Sequence, residues 1–134
     1  MELRAPGATM PEAFAGIAVA LFAAMVDLDA IVESEVREVR AHGADLPALL
    51  HRWLDECLYV HDVEGFACRS IEFAVFEAVP SAGGEALRLH AFLRGEPLDA
   101  SRHPGRARVR GISHSGLLVA GHNGAFRVEA RLDL

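Results

Sequence analysis

The chain has 134 residues, of which 51% are hydrophobic, and a formal net charge of −6. A chain of this length is expected to form one domain, residues 1–134, and to bury roughly two-thirds of its unfolded surface without the help of disulfide bonds. The negative charge argues against direct binding of nucleic acid. No apolar run approaches the ~20 residues that span a bilayer, and the start lacks the basic residues of a signal peptide. We therefore expect a cytoplasmic protein with no membrane contact.

The first predicted helix follows a short N-terminal stretch, residues 2–5, which is compatible with the tail of a strand but too short to assign. Thr9, Pro11 and Glu12 form a capping box at the start of the helix. The helix is predicted to end near residues 27–29, and residues 34–41 predict an exposed strand. Apolar residues of the helix recur at its period: Phe14, Ile17, Ala18, Leu21, Phe22 and Met25.

The second predicted helix is the amphipathic segment on which a small core would be built. Asp45 is in a capping position, Pro47 lies in the first turn, and the helix is predicted to end at His61 and Asp62, before a turn at Gly65. Its apolar residues define one face: Leu46, Leu49, Leu50, Trp53, Leu54, Cys57 and Leu58. Cys57 and the later Cys68 are both flanked by core-type residues, so we expect reduced, buried cysteines.

The second half of the chain has the alternating pattern of strands. Residues 71–75 and 87–93 predict a hairpin around a turn at 80–84. Residues 95–107 read as a long loop of the kind that often carries function. Short strands are expected at 109–112 and 117–120, and a strictly alternating one at 126–132. These elements predict an α+β fold, a two-layer sandwich in which two amphipathic helices pack on a mostly antiparallel sheet.

Motifs for zinc, nucleotides and hydrolysis are weak. Seven histidines and two cysteines show no C-x-x-C or H-E-x-x-H spacing, and no glycine-rich phosphate loop is present. The segment 111–116 (GISHSG) departs from G-x-S-x-G because serine stands where glycine is needed. A small hydrolase using His114 with Ser113 or Ser115 remains one alternative.

Two groups of carboxylates suggest cation or partner contacts. Asp133 lies next to the terminal carboxylate of Leu134, and such oxygens suit Ca²⁺ or Mg²⁺, although an acid in this position is more often simply solvated. Asp27 and Asp29 follow the first helix, where the helix dipole disfavours negative charge. They are either solvated or face a cation or a basic partner.

Several segments resemble the signature of the archease family. They are LLHRWLDECLY at 49–59 with D-x-E-G at 62–65, G-E-P-x-D-x-x-R-H at 95–103, VRGI at 109–112, and the closing LDL at 132–134. The resemblance implies a small acidic accessory protein of tRNA splicing. Such proteins activate the RNA-splicing ligase by promoting guanylylation and multiple turnover, and are not thought to ligate RNA themselves.

The resemblance also implies a site. Family members bind a divalent cation through an aspartate of an N-terminal D-H-T-A-D strand and an aspartate near the C-terminus. The second corresponds to Asp133, with Leu134 adding an oxygen, whereas the first has no counterpart. We therefore expect either a start upstream of Met1 or a member that lacks this strand and half of the site. Asp27, His103 and Arg110 are expected to face the ligase. A metal-free interaction domain is the further alternative.

Overall fold

The computed structural model describes residues 1–81 and 84–134, apart from the side chains of 79–85. The predicted turn at 80–84 therefore lies partly outside the described residues. The elements, in chain order, are: β1 (Glu2–Gly7), α1 (Met10–Met25), a 3-10 turn (Leu28–Ala30), β2 (Glu35–Gly43), α2 (Leu46–Asp62), β3 (Phe66–Ser81), β4 (Gly84–Pro97), β5 (Gly111–Ile112), β6 (Leu118–His122) and β7 (Ala125–Asp133). Two helices packed on antiparallel strands confirm the predicted α+β class.

The strands divide between two sheets, whereas the sequence predicted one. The first has the order β1-β7-β5, with β6 also paired to β7, and the second has the order β2-β4-β3. All pairs are antiparallel. Helix α1 packs on β1, β3 and β7 and so contacts both sheets, while α2 packs mainly on β2. The core lies between the helices and the inner faces of the sheets.

Both helices begin at the predicted caps. Thr9 Oγ1 accepts from the Glu12 N–H at 3.2 Å, and Glu12 accepts in return from the Ala8 N–H at 2.9 Å. Asp45 Oδ1 accepts from the Ala48 N–H at 2.8 Å. These bonds satisfy donors that the first helical turn leaves without a partner. The helices are joined in the core because the fully buried Trp53 donates its indole N–H to the carbonyl of Phe14 at 2.9 Å.

The β3–β4 hairpin is longer than the sequence indicated. It extends from Phe66 to Pro97, so the loop predicted to start at Gly95 starts after Pro97 instead. Gly95 pairs with Cys68 in the ladder, and a Cβ at Gly95 would lie 1.8 Å from the carbonyl oxygen of Ala67. Glycine therefore permits a close approach of two strands here, and does not mark a loop.

Two further expectations concern the cysteines and membrane spans. Cys57 and Cys68 are buried and free, as predicted. Burial raises the pKa of the Cys57 thiol and raises that of Cys68 to about 12, so both remain protonated core side chains. Among the described residues, neither helix is long and apolar enough to cross a membrane.

Candidate functional site

The end of β7 brings three strands together around Asp133. Asp133 is exposed, and its carbonyl accepts from the Arg110 N–H at 2.7 Å. On the other side of β7, the Leu132 N–H donates to the Met1 carbonyl at 2.7 Å, and the Met1 amino group lies 3.3 Å from the Leu132 carbonyl. The backbone beside Asp133 is therefore held from both sides. Asp133, Leu134 and Arg110 come together as neighbours at this end.

The acidic residues here do not complete a metal site. No group of three or more His, Cys, Asp or Glu side chains within residues 1–81 and 84–134 is arranged to hold an ion. Ca²⁺ takes six to eight oxygen ligands and Mg²⁺ needs six. Asp133 and the terminal carboxylate of Leu134 supply only a part of either set, so these residues alone do not fit the cation implied by the resemblance.

The motif at 95–103 folds into an ion cluster around a buried carboxylate. Glu96, at the end of β4, is 6% exposed. Its carboxylate accepts two bonds from Arg102 at 2.6 and 2.9 Å, one from the Val32 N–H at 2.6 Å, and one from His103 Nε2 at 3.0 Å. The Arg102 guanidinium, followed by the Val32 amide, lowers the pKa of Glu96 to about 2, and Glu96 in turn raises the pKa of Arg102.

His103 lies inside the protein, contrary to the expectation that it faces a partner. Its side chain is 0% exposed. The Asp99 N–H donates to Nδ1 at 2.9 Å, so Nδ1 is an acceptor and the ring proton is on Nε2, which donates to Glu96. The His103 amide also donates to the Asp99 carbonyl at 2.6 Å. His103 therefore fixes the loop after β4 against the sheet.

The same loop closes the C-terminal end of α1. The amides of Arg106 and Ala107 donate to the carbonyls of Met25 and Ala24 at 2.8 and 2.9 Å, which satisfies acceptors that a helix end leaves free. The Arg106 guanidinium lies 3.7 Å from Asp27, which is about half exposed. Asp27 also accepts from the Asp29 N–H at 3.1 Å and so caps the 3-10 turn. The unfavourable position of this carboxylate is offset by an arginine 79 residues later in the sequence.

Beyond Arg106 the chain runs extended towards Asp133. Arg108 and Arg110 are exposed, while Val109 between them is buried. Together with Asp62, at the end of α2, these residues line a cleft of about 470 Å³. The segment therefore exposes two arginine side chains, and the backbone of Arg110 is bonded to that of Asp133 at the end of β7.

The arrangement at 113–115 does not support a hydrolase. Ser113 Oγ and Ser115 Oγ are 3.0 Å apart. The His114 ring stacks on His51 with centroids 3.8 Å apart and an interplanar angle of 17°. His114 makes no hydrogen bond to either serine in the described part of the chain. A nucleophilic serine needs a base within hydrogen-bond reach, and His114 is directed elsewhere.

The fold and the site define a small α+β domain with an exposed carboxylate-bearing strand end beside a basic segment. The chain belongs to the archease family, since the family model described as the archease protein family (MTH1598/TM1083) matches residues 1–134. This agrees with the resemblance carried by the motifs, and adds that the match extends over the whole chain.

Relatives and solved structures agree with this assignment. Protein archease of Pyrococcus abyssi is 33% identical over 117 residues, which are 87% of this chain and 79% of that protein. Protein archease-like of Drosophila melanogaster is 29% identical over 120 residues, 89% of this chain and 73% of that protein. The solution structure of Methanobacterium thermoautotrophicum protein 1598 superposes with a TM-score of 0.78 at 26% identity, covering 98% of this chain and 89% of that one.

Proposed function

We propose that this protein is a non-catalytic, cytoplasmic activator of an RNA-splicing ligase, promoting guanylylation and repeated turnover of that enzyme. Membership of the archease family supports the proposal. The chain covers 79% of the length of the Pyrococcus abyssi relative, so most of an archease is present for such an interaction. In this role the protein contributes a contact surface, and the ligase carries out all covalent chemistry.

The proposal depends on the geometry at the end of β7. Asp133 and Leu134 are exposed there, and the backbone beside them is fixed by bonds to β1 and to the segment before β5. A charged group held on a rigid strand loses little conformational entropy when it docks. We infer that this end enters the mouth of the ligase active site, with Arg110 at its border, and that Asp27 also faces the ligase.

A divalent cation at this end would need further ligands from the ligase. The proposal assigns Asp133 and the backbone oxygen of Leu134 to that contact, because both residues are exposed and offer oxygens of the hard type that Ca²⁺ and Mg²⁺ prefer. The lack of a complete ligand set among the described residues favours the metal-free interaction domain as the second candidate. In that case the same oxygens would contact basic groups of the partner directly.

A ligation assay with substrate in excess over a purified RNA-splicing ligase tests the proposal. We expect the protein to raise the number of turnovers per ligase molecule, because an activator that promotes guanylylation restores the ligase after each round. The protein alone is expected to join no RNA. Unchanged ligase turnover and guanylylation across a range of added protein would contradict the proposal.

A further inference from the structure

The outer face of the second sheet carries a compact basic cluster that the proposed function does not use. It consists of Arg40 and His42 on β2 with Arg88 and His90 on β4. The β2–β4 register places Arg40 opposite His90 and His42 opposite Arg88. Since residues two apart on a strand point to the same face, and Leu89 between the two β4 residues is buried in the core, all four side chains lie on the outer face. This side of the sheet is not covered by either helix.

In each opposed pair an arginine lies across from a histidine, so the cluster carries two guanidinium charges. Two carboxylates border the cluster and compensate part of it. Glu77 accepts from Arg88 at 2.8 Å, so Arg88 is neutralised by its neighbour on β3. Glu38 lies 3.6 Å from His90 Nε2 and 4.0 Å from Arg40, which is beyond hydrogen-bond distance for either group. Among the described residues, neither Arg40 nor His90 therefore has a carboxylate within hydrogen-bond distance.

The cluster is concave, and one of its polar atoms has no partner. Arg40, His42, Arg88 and His90, with Val75 and Leu89, line a depression of about 410 Å³. His90 Nε2 is buried and makes no hydrogen bond within the described part of the chain. A buried polar atom without a partner costs free energy unless a bound group completes it. The depression is thus lined by side-chain nitrogens, and one of them, His90 Nε2, has no hydrogen-bond partner among the described residues.

We propose that this depression binds a phosphoryl group. A phosphate dianion offers several acceptor oxygens at once, and guanidinium groups bind it with strong, charge-assisted hydrogen bonds. Arg40, His42 and His90 supply the donors, while Arg88 stays paired with Glu77 at the border of the depression. The volume lies within the range of small-molecule pockets, so there is room for a group attached to the phosphate. Two sources share this chemistry: a free nucleotide and the phosphorylated end of an RNA.

Calorimetric titration of the protein alone with inorganic phosphate at constant ionic strength tests the inference without the ligase. The double variant R40Q/H42Q is expected to bind at least about tenfold more weakly, which corresponds to the loss of one charge-assisted hydrogen bond. The matched control is Arg94→Gln. Arg94 lies on β4 and pairs with Glu72 of β3 at 3.0 Å, as Arg88 pairs with Glu77, but it lies outside the depression. This variant is expected to bind phosphate as the wild type does.

Two further measurements make the test decisive. Amide chemical shifts of the wild type should change on phosphate addition around residues 40–42 and 88–90. This measurement does not require the double variant to fold. Titration with adenosine monophosphate and with a short 5′-phosphorylated RNA then distinguishes the two sources by which binds more tightly. Equal phosphate affinity of the wild type and R40Q/H42Q, shift changes elsewhere on the protein, or no binding at millimolar phosphate would overturn the inference.

Discussion

Replacement of Glu96 by glutamine is expected to lower the melting temperature by several degrees. The substitution keeps the shape of the side chain but removes the charge that accepts bonds from Arg102, His103 and the Val32 amide. Hydrogen bonds to a charged acceptor are stronger than neutral ones, and the amide that replaces the buried carboxylate has only one acceptor oxygen, so some of the donors now bonded to Glu96 lose their acceptor. Because the loop after β4 also closes α1, the loss should spread to the helix end. Thermal unfolding followed by circular dichroism measures the effect.

The pH dependence of the same pair gives an independent check. The pKa of Glu96 falls from its ordinary value near 4.5 to about 2 in the folded protein. A carboxyl group whose pKa is depressed by folding stabilises the protein above its unfolded pKa, and this contribution is lost as pH falls towards the folded pKa. The difference in melting temperature between wild type and Glu96→Gln should therefore be largest near neutral pH and shrink between about pH 4.5 and pH 2.

A matched surface pair provides the control for this prediction. Glu72 accepts from Arg94 at 3.0 Å, but its side chain is 65% exposed, whereas that of Glu96 is 8% exposed. Exposed ion pairs contribute little to stability, so Glu72→Gln should leave the melting temperature nearly unchanged. Equal effects of the two substitutions would contradict the structural role assigned to Glu96.

Extending the chain by Asp-His-Thr-Ala-Asp directly before Met1 is expected to strengthen Ca²⁺ binding at the end of β7. Glu2 pairs with Arg131 across β1 and β7, and Met1 exchanges bonds with Leu132. A residue added directly before Met1 would therefore lie opposite Asp133. Side chains of such opposed residues have Cβ atoms about 4.5–5.5 Å apart, so two carboxylates would converge beside the terminal carboxylate of Leu134. Isothermal titration calorimetry with Ca²⁺ measures the gain.

The control for this extension is Asn-His-Thr-Ala-Asn, which has the same length and strand pattern without the two charges. It should bind Ca²⁺ no more tightly than the present chain, and Asp133→Asn in the aspartate-bearing chain should abolish the gain. If both extended chains bind Ca²⁺ equally, or neither does, the assignment of Asp133 as a ligand on this register is wrong.

Features that depend on local sequence were predictable, and those that depend on distant residues were not. The caps Thr9 and Asp45 were predictable because each bonds to an amide three residues away. The role of Gly95 was missed because its constraint comes from Ala67, a neighbour only once β3 and β4 pair. The division into two sheets has the same origin, since alternation shows which residues face inward but not which strand lies alongside.

The candidate site likewise has features that the sequence predicted and features that it did not. The position of Asp133 at a strand end followed from the alternation of the final strand. The burial of His103 could not be inferred, although the G-E-P-x-D-x-x-R-H motif contains both of its partners, Glu96 and Asp99. An acid and an arginine that precede a histidine within eight residues indicate a local ion cluster as much as a binding site. Arg106 lies beside Asp27 in the fold, but the two residues are too far apart in the sequence for a local pattern to predict this pairing.

The most direct test of the account is single-turnover guanylylation of the RNA-splicing ligase, measured with GTP in the presence of wild-type protein, Asp133→Asn, or Asp55→Asn. Asp55 is an exposed acid on α2 and controls for the loss of one negative charge. We expect wild type and Asp55→Asn to accelerate guanylylation equally and Asp133→Asn to lose most of the acceleration. Equal acceleration by all three proteins would contradict the claim that the end of β7 acts on the ligase.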